Sequence, residues 1–283
     1  MRYLLKLFLI LPTLIYSQTK SLDFEFFLYG LNHCYFEYSD REFKDNQVDI
    51  FFESLTKEDI IAEYLKDEIE KDSINYMDIK RIDRGPNFVS DRGDNLSQYH
   101  MYSKLIEKGL NENFDKYSPF KQEVKSKLDV KKANSFIAGA FLRNGFKVND
   151  TIYKISIYVS SKPEHCYTIL KNTNSTNVVF NKTYQDTINN KPYNPTSTVY
   201  FNPSMELKNL LSITDDVPSI TERFKAYMSE IYLEKISSTK RKKECKKTKK
   251  EFNDFKLSFE ENLIELNIQD IEIVKKLLKQ NVR

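Results

Sequence analysis

Apolar residues alternate with polar ones in some stretches of this chain and recur every three to four residues in others. Alternation is clearest over 152–160, where every second side chain is apolar, and it predicts a β-strand. Aromatic and aliphatic runs predict further strands at 23–38, 165–170 and 198–201. The intervening stretch 172–194 is rich in Asn and Thr and is predicted to be an exposed excursion.

Helical spacing of apolar residues predicts three helices before residue 205, over 54–69, 96–110 and 130–142. The first is expected to begin with Thr56 as its cap, and the third to end at Asn144-Gly145. Helices therefore alternate with strands through this part of the chain.

Beyond Pro203 only helical patterns remain. Ser219 and Glu222 have the spacing of a capping box, which marks a helix start. Aromatic and aliphatic residues then repeat at helical spacing over 252–266, and 267–270 is predicted to cap a separate final helix.

Together these patterns predict an α+β fold, in which an antiparallel sheet with packed helices is followed by a helical C-terminal region. We assign residues 1–17 to a signal peptide and 18–205 to the α+β body. Residues 206–283 form the helical C-terminal region, which contains the basic segment 240–250.

The N-terminus has the pattern of a cleaved secretory signal. Arg2 and Lys6 precede a short apolar run that ends near Ile15, and Ser17 supplies a small residue at the cleavage point. Since a bilayer span needs about 20 apolar residues, this run is too short for an anchor. We therefore predict an exported protein, periplasmic or extracellular, without a transmembrane span in the mature chain.

Glycine is scarce, and this limits the chemistry available. The chain has 6 Gly in 283 residues, and no two of them form a Gly-x-Gly pair. Dinucleotide-binding loops, phosphate-binding loops and nucleophile elbows are built on such glycines, so none of these is predicted. We predict no cofactor, and an enzyme is not favoured.

The formal net charge is +3, but the charge is distributed unevenly. Segment 240–250 holds eight basic residues and one acidic residue, so the remainder of the mature chain is net acidic. Attraction to a polyanion must therefore come from this segment. Nucleic acid is not favoured as the partner, because aromatic residues are not interleaved with the lysines. The candidate residues are Lys240, Arg241, Lys242, Lys243, Lys246, Lys247, Lys249 and Lys250.

The chain has 3 Cys and 3 His, and four of these six form two His-Cys-Tyr triplets, at 33–35 and 165–167. A disulfide between Cys34 and Cys166 is the first hypothesis, because exported proteins retain such bonds and both residues lie in predicted strands. Two buried, unpaired thiols are the simpler alternative. Cys245 is left over, on the lysine-rich segment, as a solvated thiol or an intermolecular one.

Two chemical roles for the triplets are weaker. A zinc site is not favoured, because neighbouring residues in a strand point to opposite faces and the spacing is not that of zinc ligands, so we predict no metal. A Cys-dependent hydrolase would pair Cys34 with His100 or His165 as the base, but no helix start or small residue accompanies Cys34.

We therefore predict a binding, structural or interaction module of unidentified activity. Its partner is expected to be another protein, bound through the C-terminal helices, or an anionic surface bound through 240–250. The Cys34 hydrolase remains the catalytic alternative.

Overall fold

The computed structural model describes the chain between residues 22 and 281, with gaps. The described residues are 22–31, 47–50, 60–61, 64, 77–83, 97–103, 128–158, 160, 162–188, 191–212 and 217–281.

The described elements follow one another in the order helix, three strands, helix, two strands, helix, two strands and three helices. The helices are α1 (Phe24–Leu31), α2 (Val130–Asn144), α3 (Lys162–Lys171), α4 (Met205–Ser212), α5 (Ile220–Ser238) and α6 (Lys242–Asn281). The strands are β1 (Gln47–Ile50), β2 (Met77–Asp83), β3 (Ser97–Ser103), β4 (Gly145–Lys147), β5 (Tyr153–Tyr158), β6 (Thr176–Ile188) and β7 (Lys191–Asn202).

The strands form two antiparallel sheets. The smaller has the order β1-β3-β2, and the larger has the order β4-β5-β7-β6. Helices pack on the larger sheet and the C-terminal region is helical, so the predicted α+β class is confirmed.

The helix predicted over 130–142 is present as α2, and it lies at the centre of the core and not on one side of it. Asp129 caps its start by accepting a hydrogen bond from the Lys132 backbone N–H at 2.9 Å. Every residue from Ala133 to Arg143 is buried, and the helix ends at Gly145, as expected. The main core contains residues of α1, α2, α3, α4, β5 and β7, among them Phe27, Leu31, Phe136, Ile137, Ile155, Leu170, Val199, Phe201 and Leu207.

Helices α1 and α2 are in backbone contact at two glycines. A Cβ atom on Gly139 would lie 1.8 Å from the Phe27 carbonyl oxygen, and one on Gly30 would lie 1.9 Å from the Phe136 carbonyl oxygen. Only glycine permits this backbone contact, which accounts for two of the few glycines in the chain.

Strand β5 confirms the alternation predicted over 152–160. Tyr153, Ile155 and Ile157 are buried in the main core, whereas Lys154 lies on the opposite face of the sheet. That face is covered by a second apolar cluster, in which Val179 and Tyr200 contact Val274 of α6. The sheet is therefore covered on both sides, with different helices on each.

Three predicted elements are wrong. In the stretch 23–38, predicted as strand, residues 24–31 form a helix capped by Asp23, which accepts from the Phe26 N–H at 3.1 Å, and residues 32–38 lie outside the described residues. Residues 165–170 belong to α3, in which the proline-containing stretch predicted as a turn supplies the first helical turn. In the helix predicted over 96–110, residues 97–103 form β3, as their tyrosines favour a strand, and the others lie outside the described residues.

Two further boundaries also differ from expectation. The predicted excursion at 172–194 forms a long hairpin, because threonine and tyrosine favour strands. The separate helix expected after 267–270 is the end of one continuous helix, α6. In the predicted helix at 54–69, the described residues Ile60, Ile61 and Tyr64 are helical, and the others lie outside the described residues.

Substituting Gly139 by alanine tests the backbone contact. The added Cβ would overlap the Phe27 carbonyl oxygen, so we expect a loss of about 2 kcal/mol or more in the free energy of unfolding, although alanine favours a helix by about 1 kcal/mol. Denaturant unfolding measures the change. Lys131→Ala, at an exposed position of the same helix, is the control and should change stability by less than about 0.5 kcal/mol. A Gly139→Ala protein as stable as the wild type would contradict the contact.

Candidate functional site

The cysteine chemistry predicted from the sequence is only partly within the described structure. Cys34 lies outside the described residues, as does the side chain of His100, whose backbone belongs to β3. Cys166 lies on α3 as a free thiol that is fully buried. The Cys34–Cys166 disulfide is absent from this structure, and the hydrolase that would use Cys34 stays a prediction.

The environment of Cys166 makes its thiol unreactive. Burial raises the pKa of Cys166 from 9.0 to about 12, and the nearby Lys162 ammonium offsets this only in part. The neutral thiol therefore dominates at physiological pH, and a buried thiol is a poor nucleophile. Cys245 differs, because it is half-buried on the lysine-rich start of α6.

Alkylation should separate these two thiols. We expect iodoacetamide to modify Cys245 in the native protein at neutral pH, and Cys166 only after unfolding, because Cys166 is both buried and protonated. Peptide mapping by mass spectrometry assigns each modified residue, and parallel samples with and without reductant report any disulfide. Modification of native Cys166 at the rate of Cys245 would contradict the buried site.

The C-terminal helices form an arm on the body. Helices α5 and α6 contact each other, and their interface is aromatic, with Phe224 stacked on Phe259 at 6.3 Å between centroids and Tyr232 on Phe252 at 5.4 Å. Lys225 and Glu260 form an ion pair across the same interface. The predicted capping box begins α5: Ser219 Oγ accepts from the Glu222 N–H at 3.3 Å, and the Ser219 N–H donates to Glu222 Oε2 at 2.8 Å.

A buried polar cluster fixes the far end of α6 to the sheet. Lys154 and Tyr200 are direct cross-strand partners on β5 and β7, and both bond to Asp270 of α6. Tyr200 Oη donates to Asp270 Oδ1 at 2.6 Å, and Lys154 Nζ donates to Asp270 Oδ2 at 2.5 Å. Each carboxylate oxygen thus has its own donor, on a residue that is 6% exposed.

The phenol of this cluster is held neutral. Burial, followed by the hydrogen bond and the negative charge of Asp270, raises the pKa of Tyr200 above its ordinary value. The cluster is therefore an anchor in which each group has a structural partner. Sequence analysis missed it, because Asp270 was taken as a helix cap and the pairing of Lys154 with Tyr200 requires the register of the sheet.

Basic segment 240–250 lies at the opposite end of the arm. Residues 239–241 separate the two helices, and Lys242 begins α6. At 100° per residue, the six lysines between 242 and 250 fall within an arc of about 160° on one side of the helix. All six are exposed, whereas Thr248 and Phe252 on the opposite side are buried.

Apolar residues continue the exposed side of α6 beyond the lysines. Leu257, Ile264 and Ile268 lie within about 20° of one line along the helix. They are 65%, 62% and 57% exposed, respectively. We call these three residues the outer line. Its flanks are acidic, with Asp254, Glu261 and Glu265 at neighbouring exposed positions, whereas Glu260 is paired with Lys225.

The cleft, the metal-ligand residues and the helix lengths of the described structure do not indicate a further functional site. A cleft of about 350 Å³ lies between the end of α2 and the start of α5, but the Glu222 carboxylate in its lining is already used in the capping box. Within the described residues, no three His, Cys, Asp or Glu side chains are grouped as metal ligands. None of the described helices is long and apolar enough to cross a bilayer.

Comparison with known proteins does not assign the site. No protein-family model matches the sequence, and no curated protein is significantly similar to it. The candidate site therefore rests on the geometry of the arm.

Tyr200→Phe tests the anchor. Loss of the hydrogen bond to the Asp270 carboxylate should lower the free energy of unfolding by about 1.5 to 3 kcal/mol at neutral pH. Because folding raises the Tyr200 pKa, its contribution is fully present below the unfolded pKa of about 10 and declines as the pH rises above it.

Thermal melts at pH values from about 7 to about 11 measure this dependence. The variant should lose less stability than the wild type over the alkaline part of the range, so the two curves converge. Parallel curves would mean that Tyr200 does not titrate differently in the folded protein. Tyr158→Phe, on an exposed tyrosine of β5, is the matched control.

Proposed function

We propose that the protein is an exported interaction module that binds a partner protein through the outer line of α6. The observation that carries this proposal is the exposure of three branched aliphatic side chains, Leu257, Ile264 and Ile268, along one side of a long helix. Exposed apolar residues that are aligned and rimmed by charge are typical of binding surfaces, whereas scattered ones are not.

The contacts of the arm with the body support the proposal that α6 presents the outer line to a partner. Aromatic contacts with α5 and the Asp270 anchor keep α6 in place, so the outer line needs no ordering before a partner binds. The acidic residues that flank it favour a partner with an apolar stripe and basic flanks, such as an amphipathic helix. They disfavour a second copy of α6, whose outer line has the same acidic flanks.

Export is part of the proposal. It is supported by the charged start, short apolar run and small exit residue over 1–17, which lie outside the described residues. Export also removes the protein from most nucleic acid.

Site-specific photo-crosslinking tests the proposed surface. With p-benzoylphenylalanine in place of Ile264, we expect a crosslinked adduct in the native compartment. The mass of this adduct should exceed that of the chain and differ from that of its dimer. The same probe at Glu206, an exposed position on α4, is the control and should give none. Adding Ile268→Glu, which alters an exposed residue and should leave the fold intact, should abolish the adduct.

Three results would oppose the proposal. They are equal crosslinking at 264 and 206, an adduct that persists with Ile268→Glu, and an adduct with the mass of two copies of the chain. Mass spectrometry of the adduct distinguishes the last case from a different partner protein.

A further inference from the structure

The tip of the arm carries a second surface with different chemistry. Among the six lysines of the arc, Lys243, Lys246 and Lys250 lie along its centre, and Lys242, Lys247 and Lys249 lie toward its edges. Lys243 and Lys250 are about 10 Å apart along the helix, so positive charge is dense over two turns.

Few acids neutralise this charge. Within the described structure, the ion pairs of segment 240–250 are Arg241–Glu244 at 3.2 Å and Lys247–Glu251 at 3.7 Å. Both acids lie beyond the edge of the lysine arc, and both pairs are exposed and hence weak. The central lysines point into solvent and are available to an external anion.

The stability of the helix does not account for these lysines. Lys242 and Lys243 lie in the first turn of α6, where the backbone already presents positive potential and cations are unfavourable by some tenths of a kcal/mol each. Thr248 and Phe252 provide the packing on the opposite side. A cost to stability in a well-packed helix is typical of functional residues.

Leu257 distinguishes among the possible polyanions. It lies on the same side of α6 as the centre of the lysine arc, two turns beyond Lys250, and 65% of its surface is exposed. A hydrophilic polysaccharide has no apolar region to receive a leucine, whereas the interface of a bilayer does. Lysine stems can also lie along an apolar surface while their ammonium groups reach phosphate.

The shape of the tip agrees with the chemistry. A flat surface can touch the central lysines and Leu257 together, because all four lie along one side of the same helix. We infer that the tip of the arm, from Lys242 to Leu257, docks on an anionic lipid surface. Asp254 and Glu261 lie within about one turn of Leu257, and Glu265 lies next to Ile264, so the acidic residues limit the contact to the lysines and Leu257. Leu257 belongs to both surfaces, but Ile264 and Ile268 lie outside the tip, so lipid docking does not require the protein partner of the outer line.

Vesicle co-sedimentation with the full chain tests the inference. Vesicles of phosphatidylcholine alone are compared with vesicles containing about one third phosphatidylglycerol, and the neutral vesicles report binding by the rest of the chain. We expect stronger partitioning to the anionic vesicles, lost when salt shortens the screening length from about 10 Å to about 3 Å.

Charge variants with a matched control locate the site. Since each lysine near an anionic surface contributes about fivefold, Lys243→Gln/Lys246→Gln/Lys250→Gln should weaken anionic partitioning on the order of 100-fold. Lys275→Gln/Lys276→Gln/Lys279→Gln removes the same charge from the other end of α6 and should leave most of the binding. The corresponding Lys→Arg triple at 243, 246 and 250 should bind like the wild type.

Leu257→Ser separates lipid from other polyanions. It should weaken vesicle binding about tenfold and leave retention on a heparin column unchanged. Ile268→Glu should not affect vesicle binding, so failure here and failure of the partner-protein proposal are distinguishable. Circular dichroism confirms that each variant retains its helices.

The inference is overturned if the 243/246/250 glutamine variant partitions like the wild type, or if both glutamine triples weaken binding equally. It is also overturned if Leu257→Ser has no effect on vesicle binding, or if the protein is retained by heparin but ignores anionic vesicles. The last result would assign the tip to a soluble polyanion.

Discussion

The backbone contact between α1 and α2 is the constraint on which the body of this protein depends. Gly30 and Gly139 allow each helix to approach the carbonyl groups of the other, and no other residue type fits at either position. The two glycines are more than a hundred residues apart in the chain, so the contact joins its N-terminal part to the core. Helix α2 is consequently buried from Ala133 to Arg143, with the sheet, α3 and α4 packed around it.

Three buried cations extend this constraint to the surrounding helices. Lys162 of α3 donates to the Gly30 carbonyl at 2.9 Å, and Arg143 of α2 donates to the Leu31 carbonyl at 3.3 Å. Arg223 of α5 donates to the Arg143 carbonyl at 2.7 Å. Each accepting carbonyl belongs to the last turn of a helix, where hydrogen-bond partners are missing and the potential is negative. The same bonds therefore satisfy the helix ends and compensate the buried charges, and Arg223 attaches the first leg of the arm to the body.

How far the sequence could predict this structure depended on whether a pattern was local. The Ser219 capping box and the alternation over 152–160 are decided by neighbouring residues, and both were correct. The stretch at 24–31 failed because its aromatic run fits a strand or a buried helix equally well, and the short signal that separates them is Asp23. At 165–170 a proline in the first helical turn was mistaken for a turn.

For the candidate site too, local features could be predicted from the sequence and long-range ones could not. The charge of segment 240–250 could be predicted from composition, but its alignment with Leu257 follows only because α6 continues unbroken through 267–270. The cluster of Lys154, Tyr200 and Asp270 was not predictable, since it joins a cross-strand pair to a residue 70 positions beyond Tyr200. Neither the strand register nor the docking of α6 has a local signature.

The position of the Asp270 anchor explains how a basic surface can persist on an otherwise acidic protein. The two helices of the arm are its two legs. Along α6, the distance from Asp270 to Lys246 is about 36 Å, and along α5, the distance from Arg223 to the end of the helix is about 22 Å. Both lengths exceed the screening length of about 8 Å at physiological salt, so acids close to the two anchors contribute little potential at the tip. Rigid legs are required for this separation, because a flexible tail would let the lysines fold back onto acidic residues elsewhere in the chain. Aromatic packing between α5 and α6 supplies that rigidity, and the polar cluster at Asp270 fixes the orientation of α6 on the sheet.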